Sequence, residues 1–162
     1  MSQSNDYQAE LQIWQTHLAN AQLTGDRNLE ATALTNIGAI HAFLNQYLRA
    51  IEFYYLGLRL FREMGNRSQE IWVLNNIGTA YKNLNQYDKA VEAYQNAITI
   101  SQLEGTLVRE GWVLKNLGHT YLSMSRRDKA IEVFQKAVRV FQITNSTEEE
   151  ADVRKLLQEV QE

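Results

Sequence analysis

The segment Leu74-Asn75-Asn76-Ile77-Gly78 occurs in three versions in this chain of 162 residues, at intervals of 40 residues. The other versions are Leu34-Thr35-Asn36-Ile37-Gly38 and Leu114-Lys115-Asn116-Leu117-Gly118. Downstream of each version, an alanine and then an aromatic residue keep the same spacing: Ala50, Ala90 and Ala130, followed by Tyr54, Tyr94 and Phe134. Self-similarity at a fixed period is typical of repeat architectures, in which stacked units bury one continuous core.

The same register continues to both ends of the chain, so we expect a single domain over residues 1–162 with no linker. Near the beginning, Gly25-Asp26-Arg27 aligns with Gly65-Asn66-Arg67, and near the end Val153 aligns with Val113. The predicted division is a half-repeat helix at 1–25, repeats at 26–65, 66–105 and 106–145, and a capping helix at 146–162.

Each repeat contains two apolar patterns with a period near 3.6 residues, joined by a short polar turn. In the second repeat, the first pattern runs from Ile71 to Leu84 and the second from Tyr87 to Ser101. The chain contains no proline, the residue that most strongly interrupts helices. We therefore predict an all-α fold, an α-α superhelix of about eight helices arranged in antiparallel pairs.

Small and capping residues recur at fixed places in this pattern. A glycine in mid-helix costs about 1 kcal/mol relative to alanine, so the repeated glycine must let the second helix approach, with the recurring alanine opposite and the aromatic filling the space between repeats. The glycines concerned are Gly38, Gly78 and Gly118. Capping-box spacing at Asn66–Gln69 and at Ser146–Glu149 predicts two helix starts. Left-handed helix ends are predicted at Gly25, Gly65 and Gly105.

The recurring pattern Leu-x-x-Ile/Leu-Gly-x-x-Tyr, followed by Ala, Tyr or Phe, and Ala, resembles the tetratricopeptide repeat. The repeat is longer than the usual length of about 34 residues, leucine stands in place of the opening tryptophan, the closing proline is missing, and His41 replaces the first tyrosine. This longer form is similar to the repeats of kinesin light chains, of the Leu-Gly-Asn adaptor and of many bacterial signalling proteins. The resemblance implies that the first helix of each repeat lines a concave groove.

A column of asparagines, one in each repeat, is the most informative part of this predicted groove: Asn36, Asn76 and Asn116. An asparagine side chain offers two donors and an acceptor, so the column could pair with the backbone of an extended peptide. The resemblance implies the same role, since an asparagine ladder holds the bound peptide in the longer subfamily. The alternative is that each asparagine bonds a neighbouring helix and sets the repeat geometry, and both can hold.

Aromatic and basic residues surround that column. Trp72 and Trp112 lie four residues before an asparagine and therefore share its helical face, either as ligand anchors or as covers for the seam between helices. Phe43 is a predicted ligand contact because its counterparts are polar. The remaining groove residues are predicted to be Asn75, Thr79, Lys82, Asn83, Lys115 and His119. The basic members suit a ligand with acidic character, although Thr35 and Asn36 argue against a chaperone-type carboxylate clamp.

A second surface departs from the repeat pattern. Leu48, Tyr55 and Leu56 align with polar residues in the other two repeats and form one outward stripe on a second helix. Ile13 and Trp14 on the first helix of the chain are further apolar candidates for a contact surface. Such residues indicate a partner or a twofold self-contact, or they are scattered exposed apolar side chains. The alternative function is therefore a self-associating, homodimeric scaffold.

Several other classes of function find no support in the sequence. The net charge of −3 argues against a nucleic-acid partner, and the absence of cysteine excludes thiolate chemistry and disulfides. His17, His41 and His119 occupy different columns, so no metal site or cofactor is expected. No catalytic motif, membrane span or signal peptide is recognised. We predict a cytoplasmic, non-catalytic adaptor that binds a peptide segment of a partner protein.

Overall fold

The computed structural model describes residues 2–162, with side chains from residue 6 onward. All regular secondary structure in this part of the chain is helical. In chain order the helices are α1 (Ser2–Thr24), α2 (Arg27–Phe43), α3 (Tyr47–Glu63), α4 (Arg67–Asn83), α5 (Tyr87–Glu104), α6 (Leu107–Ser123), α7 (Arg127–Ile143) and α8 (Thr147–Gln161). The all-α prediction and the number of helices are confirmed.

Short turns of constant geometry join the helices. Gly25, Gly65 and Gly105 adopt positive φ angles of 66–72°, as predicted, and Asn145 takes the corresponding place after the third repeat with φ 54°. Within the repeats, the turn residue is left-handed as well: Asn45, Asn85 and Ser125 have φ angles of 56–58°. Because asparagine and glycine tolerate this conformation, each turn ends one helix and starts the next in the same way.

The two predicted helix caps have different outcomes. The Asn66 side chain accepts a hydrogen bond from the backbone N–H of Gln69 at 3.2 Å, which confirms the first. The helix start predicted at Ser146 is confirmed, since α8 begins at Thr147, but the Ser146 side chain makes no capping bond and its hydroxyl lies 2.9 Å from the hydroxyl of Thr144. The Ser146 hydroxyl is therefore paired with the Thr144 hydroxyl and not with a backbone N–H in the first turn of α8. The Thr144 hydroxyl also lies within hydrogen-bond distance of the backbone carbonyl of Val140.

The helices stack in one direction, each packing on its neighbours in sequence. The first helices of successive repeats also touch, α2 against α4 and α4 against α6, whereas contacts between the second helices α3, α5 and α7 are sparser. A stack whose first helices lie closer together than its second helices must curve. The first helices therefore form the concave inner wall and the second helices the convex outer wall.

The mid-helix glycines are required by aromatic rings of the same repeat. A Cβ built at Gly118 would lie 2.7 Å from Cδ1 and Cζ of Phe134 and closer still to Cε1. The Tyr94 ring packs against Gly78 in the same manner, and the Tyr54 ring packs against Gly38. The close approach was predicted, and the ring lies directly over the glycine of its own repeat. Tyr54 also lines the space between α2 and α4, in agreement with the prediction that this aromatic fills the space between successive repeats.

A side-chain hydrogen bond that the sequence analysis did not predict connects successive repeats. A glutamine near the end of one second helix donates to the glutamate in the first turn of the next helix. The pairs are Gln22–Glu30 at 3.2 Å, Gln102–Glu110 at 2.7 Å and Gln142–Glu150 at 3.0 Å. In the remaining repeat an arginine, Arg62, takes the place of glutamine, and its partner Glu70 is fully buried. The contact fixes the position of each repeat relative to the preceding one.

Candidate interaction groove

A hollow of about 580 Å³ opens on the concave wall between α2 and α4. Part of its lining is apolar and comes from Ala39, Ala42, Phe43, Trp72 and Ala80. Asn36, Asn76, Thr79 and Asn83 supply its polar groups. Clefts of this size with an apolar lining and a few convergent polar groups are typical of binding sites.

The three column asparagines have different surroundings. The Asn36 amide donates to the backbone carbonyl of Thr32 in its own helix at 2.8 Å. The Asn116 amide donates to Oδ1 of Asn75 in the preceding repeat at 2.8 Å, so this residue helps to set the repeat geometry. Asn76 is half-buried in the hollow, and no side-chain hydrogen bond to it is found among the described residues. Of these three asparagines, Asn76 is therefore the one whose amide makes no side-chain hydrogen bond with the described residues.

The aromatic residues of the groove are partly exposed. Trp72 is 36% exposed and faces the hollow. Trp112 is 44% exposed, meets the edge of the buried Phe141 ring at 6.0 Å, and carries the Lys115 ammonium 5.3 Å from its own ring centre. The Trp112 ring therefore packs against Phe141 and Lys115, whereas the Trp72 indole lines the hollow.

Phe43 is supported by a residue that the sequence interpretation did not include. Its ring stacks on Tyr7 of α1, with ring centroids 5.5 Å apart and planes 9° apart, yet 66% of Phe43 remains exposed. Tyr7 aligns with Tyr47 and Tyr87 in the repeat register. This alignment is the feature of the sequence from which a packing role for Tyr7 could have been predicted. Stacking fixes the Phe43 ring at the end of the groove while leaving its other face free.

The same positions become polar one repeat further along the groove. Ala39 is replaced by Thr79, Ala42 by Lys82, and Phe43 by Asn83. In α6, the first helix of the third repeat, His119 occupies the position that Thr79 occupies in α4. The groove therefore changes from an apolar half beside α2 to a polar, basic half beside α6.

Ion pairing reduces the basic character that the sequence predicts for the second half. Lys115 pairs with Asp152 of α8, and this contact holds the pKa of the aspartate below its ordinary range. Lys82 forms no ion pair with any residue that the structure describes. The groove-facing stretches 31–43, 71–83 and 111–123 contain no aspartate or glutamate. Lys82 is thus the cation on this wall whose charge is not balanced by a described ion pair.

His119 is half-buried beside Phe134, whose ring centroid lies 5.6 Å away. Burial lowers the pKa of His119 below its ordinary 6.5, and repulsion by Lys82 and Lys115 lowers it further, against a weaker opposite effect of Asp152. At neutral pH the imidazole is therefore uncharged, and it can both donate and accept a hydrogen bond in the groove.

This lowered pKa predicts a stability change on mild acidification. The unfolded chain binds a proton at His119 at higher pH than the folded protein does, so stability is complete above pH 6.5 and falls as the pH is lowered through that value. We expect the loss of unfolding free energy between about pH 7.5 and about pH 5.5 to be smaller in His119→Thr, which carries the residue found at position 79. Urea titrations at both pH values measure it; an identical loss in both proteins would contradict the expectation.

The predicted contact residues outside the groove lie on the surface. Leu48 is 63% exposed, Tyr55 48% and Leu56 41%, all on the convex helix α3. Ile13 of α1 is 55% exposed, whereas Trp14 is half-buried, with its ring 5.3 Å from that of His17. None of these side chains reaches the hollow between α2 and α4.

Two tetratricopeptide repeat profiles match the chain, one over residues 69–143 and the other over residues 31–63. Together they cover about two thirds of the sequence, and they coincide with the helix pairs described above. The chain is a tetratricopeptide repeat protein. No curated protein sequence matches it significantly. The family places this repeat protein among protein–protein interaction modules, which are generally non-catalytic.

Solved structures show the same fold at low sequence identity. BtubC (BKLC) from P. vanneervenii is similar with a TM-score of 0.77 and 17% identity, over 99% of this chain and 75% of that one. Aspartyl phosphate phosphatase F from Bacillus subtilis gives 0.84 and 18%, over 92% of this chain but only 39% of the phosphatase. The N-terminal domain of stress-induced protein-1 from C. elegans gives 0.67 and 14%, over 84% and 98%. This repeat protein thus spans well under half of the phosphatase.

Within residues 2–162, none of the helices has the length and apolar character needed to cross a membrane. The histidines and acidic residues in the described part of the chain do not gather into a group of three that could hold a metal ion.

Proposed function

We propose that this repeat protein is a non-catalytic adaptor whose concave groove binds an extended peptide segment of a partner protein. The observation that carries the proposal is the unused amide of Asn76, which lies beside the exposed indole of Trp72 in a hollow of about 580 Å³. The Asn76 amide is partly accessible and makes no side-chain hydrogen bond within the described residues, so its two donors and its acceptor are available to a ligand. A peptide backbone carries both a donor and an acceptor at each residue.

Each part of the groove has a role in this proposal. Asn76 bonds the peptide backbone, while Asn36 and Asn116 contribute the carbonyl oxygens that remain available to them. Trp72 and Phe43 hold an apolar side chain beside the alanines that line the hollow, since exposed aromatic residues supply large contact areas at low entropic cost. The unbalanced charge of Lys82, with Lys115 and His119 nearby, suits an acidic group on the ligand. Asn75, Thr79 and Asn83 complete the polar wall.

The proposal is tested with peptides selected from a random displayed library on the purified protein. We expect Asn76→Ala to weaken the binding of a selected peptide at least tenfold, equivalent to about 1.4 kcal/mol, because the backbone bonds are lost. Asn96→Ala, which removes the same group from the convex helix α5, is the matched control and should leave the affinity unchanged. Isothermal titration calorimetry measures both. Equal affinities for Asn76→Ala, Asn116→Ala and wild type would refute the asparagine ladder.

A second candidate function is self-association as a homodimeric scaffold. The observation in its favour is the exposed apolar stripe of Leu48, Tyr55 and Leu56, which the other two repeats lack, together with the exposed Ile13 on α1. Light scattering over a range of protein concentrations tests it. A particle mass that stays at 18.7 kDa at high concentration would eliminate this function and leave peptide binding unaffected.

A further inference from the structure

The outward face of α3 differs from the same face of the other convex helices. Leu48, Tyr55 and Leu56 are replaced by Asp88, Gln95 and Asn96 in α5, and by Asp128, Gln135 and Lys136 in α7. Because α5 and α7 fold with polar residues at these positions, the repeat itself does not require apolar ones. Tyr55 also lines a cleft with Tyr81 of α4 and Glu92 of α5, but the exposed surface of Leu48, Tyr55 and Leu56 remains available for a contact outside the repeat.

Opposite charges flank this apolar centre along the helix. Glu52 lies three residues before Tyr55, and Arg59 lies three residues after Leu56; residues at this spacing share a helical face. Glu52 is exposed and makes no ion pair with the described residues. Arg59 is 68% exposed, and its Nε lies 4.0 Å from Oε1 of Glu63, a long ion pair between exposed groups that contributes little. The centre of the stripe, formed by Tyr55 and Leu56, is thus flanked by a negative charge on one side and a positive charge on the other, and Leu48 lies beyond Glu52.

This order is complementary to itself only when a second α3 runs in the opposite direction. A twofold axis between Tyr55 and Leu56 places each of them against the other residue of the second copy. It also brings Glu52 of each copy opposite Arg59 of the other. An axis at Glu52 would oppose the two glutamates, and a parallel pair would oppose like charges throughout, both of which are unfavourable.

We propose that two copies of the chain associate through antiparallel α3 helices, about a twofold axis that crosses each helix between Tyr55 and Leu56. The inference rests on the self-association candidate and adds its geometry. A single pair of 17-residue helices provides less than the roughly 1,200–2,000 Å² of a standard stable interface. The dimer is therefore weak and dissociates on dilution.

Charge reversal tests the geometry. In sedimentation equilibrium of the full chain, we expect Glu52→Arg alone and Arg59→Glu alone each to weaken the dimer at least tenfold, because each creates two like-charged contacts across the axis. An equimolar mixture of the two variants should associate again, since each introduced charge then meets its opposite in the other chain. The double variant Glu52→Arg/Arg59→Glu should also recover. Glu132→Arg, at the matched position of α7, is the control and should behave as wild type.

Repeat-derived substitutions separate loss of contact from loss of folding. Tyr55→Gln and Leu56→Asn carry the residues that α5 already has, so we expect an intact helical circular dichroism spectrum and a weaker dimer. A wild-type dimer that is insensitive to the charge reversals would overturn the proposed axis while leaving self-association in place. A wild type that is monomeric at all concentrations would overturn both, and peptide binding would be unaffected.

Discussion

Replacing Gly118 with alanine should lower the free energy of unfolding by about 1–2 kcal/mol, although alanine is the better helix former. The helix propensity gained is about 1 kcal/mol, and overpacking a dense core costs typically about 1–3 kcal/mol, occasionally more. The new methyl group would lie 2.7 Å from two ring atoms of Phe134 and closer to a third, and Phe134 is completely buried. The ring has no open space to move into, so the steric cost prevails.

A second substitution identifies the ring as the cause. In the variant Gly118→Ala/Phe134→Leu, the smaller side chain makes room for the methyl group, and we expect a favourable coupling of at least about 1 kcal/mol relative to the sum of the single changes. Urea titration of the four proteins, followed by circular dichroism, gives this double-mutant cycle. A Gly118→Ala variant more stable than wild type would show that helix propensity decides and that the close packing on Phe134 is not required.

The second large effect is expected at Arg62, the residue that pairs with the buried Glu70. The Arg62 guanidinium Nε lies 3.6 Å from one carboxylate oxygen of Glu70, and the Arg67 guanidinium lies 2.9 Å from the other. Glu70 is completely buried, and its Oε1 accepts no hydrogen bond from the described residues. Removing a partner of a buried charge costs about 3–5 kcal/mol when both ions are buried, and exposed pairs contribute under about 1 kcal/mol.

Arg62→Ala should therefore cost about 2 kcal/mol, between these limits, because the carboxylate is buried and the guanidinium is half-exposed. Arg62→Gln is the matched variant, since glutamine bonds the equivalent glutamate in the other repeats, and it should retain most of the wild-type stability. Thermal and urea unfolding of both variants measures the difference. Equal stability of Arg62→Ala and wild type would show that this contact between repeats contributes nothing to folding.

The helical framework follows from the sequence because its signals are local and repeated. Period, turn residues and the Asn66 cap are set within a few positions of the chain, and their recurrence at 40-residue intervals averages out accidental features. The columns of the repeat also place Trp72 and Asn76 on one face, since residues four apart on a helix are neighbours. The hollow between α2 and α4 contains both of them.

Contacts between repeats could not be predicted in the same way. The bond from Asn116 to Asn75 depends on the side-chain conformations of two residues 41 positions apart. The pairing of Lys115 with Asp152 requires α8 to pack beside the third repeat. Within a single repeat, the direct packing of Phe134 on Gly118 likewise depends on the distance between two helices. Spacing in the sequence gives the face of a helix but not the separation of one helix from the next.

The two proposed surfaces lie on opposite sides of the first repeat. The hollow faces the concave side of α2, and the apolar stripe faces the convex side of α3. A dimer formed through α3 would therefore leave both grooves open, and each copy could hold its own peptide. Binding at two linked sites increases the effective affinity for a partner that carries two segments.

The three tryptophans provide the most direct test of groove binding, since their indole N–H groups give separate signals in a nitrogen–proton correlation spectrum. Trp72 faces the hollow, Trp112 lies on the same wall, and Trp14 is on α1 away from the hollow. On titration with a library-selected peptide, we expect the Trp72 signal to move most, the Trp112 signal to move less, and the Trp14 signal to stay in place. A shift confined to Trp14, or saturated binding with all three signals unmoved, would contradict recognition in the concave groove.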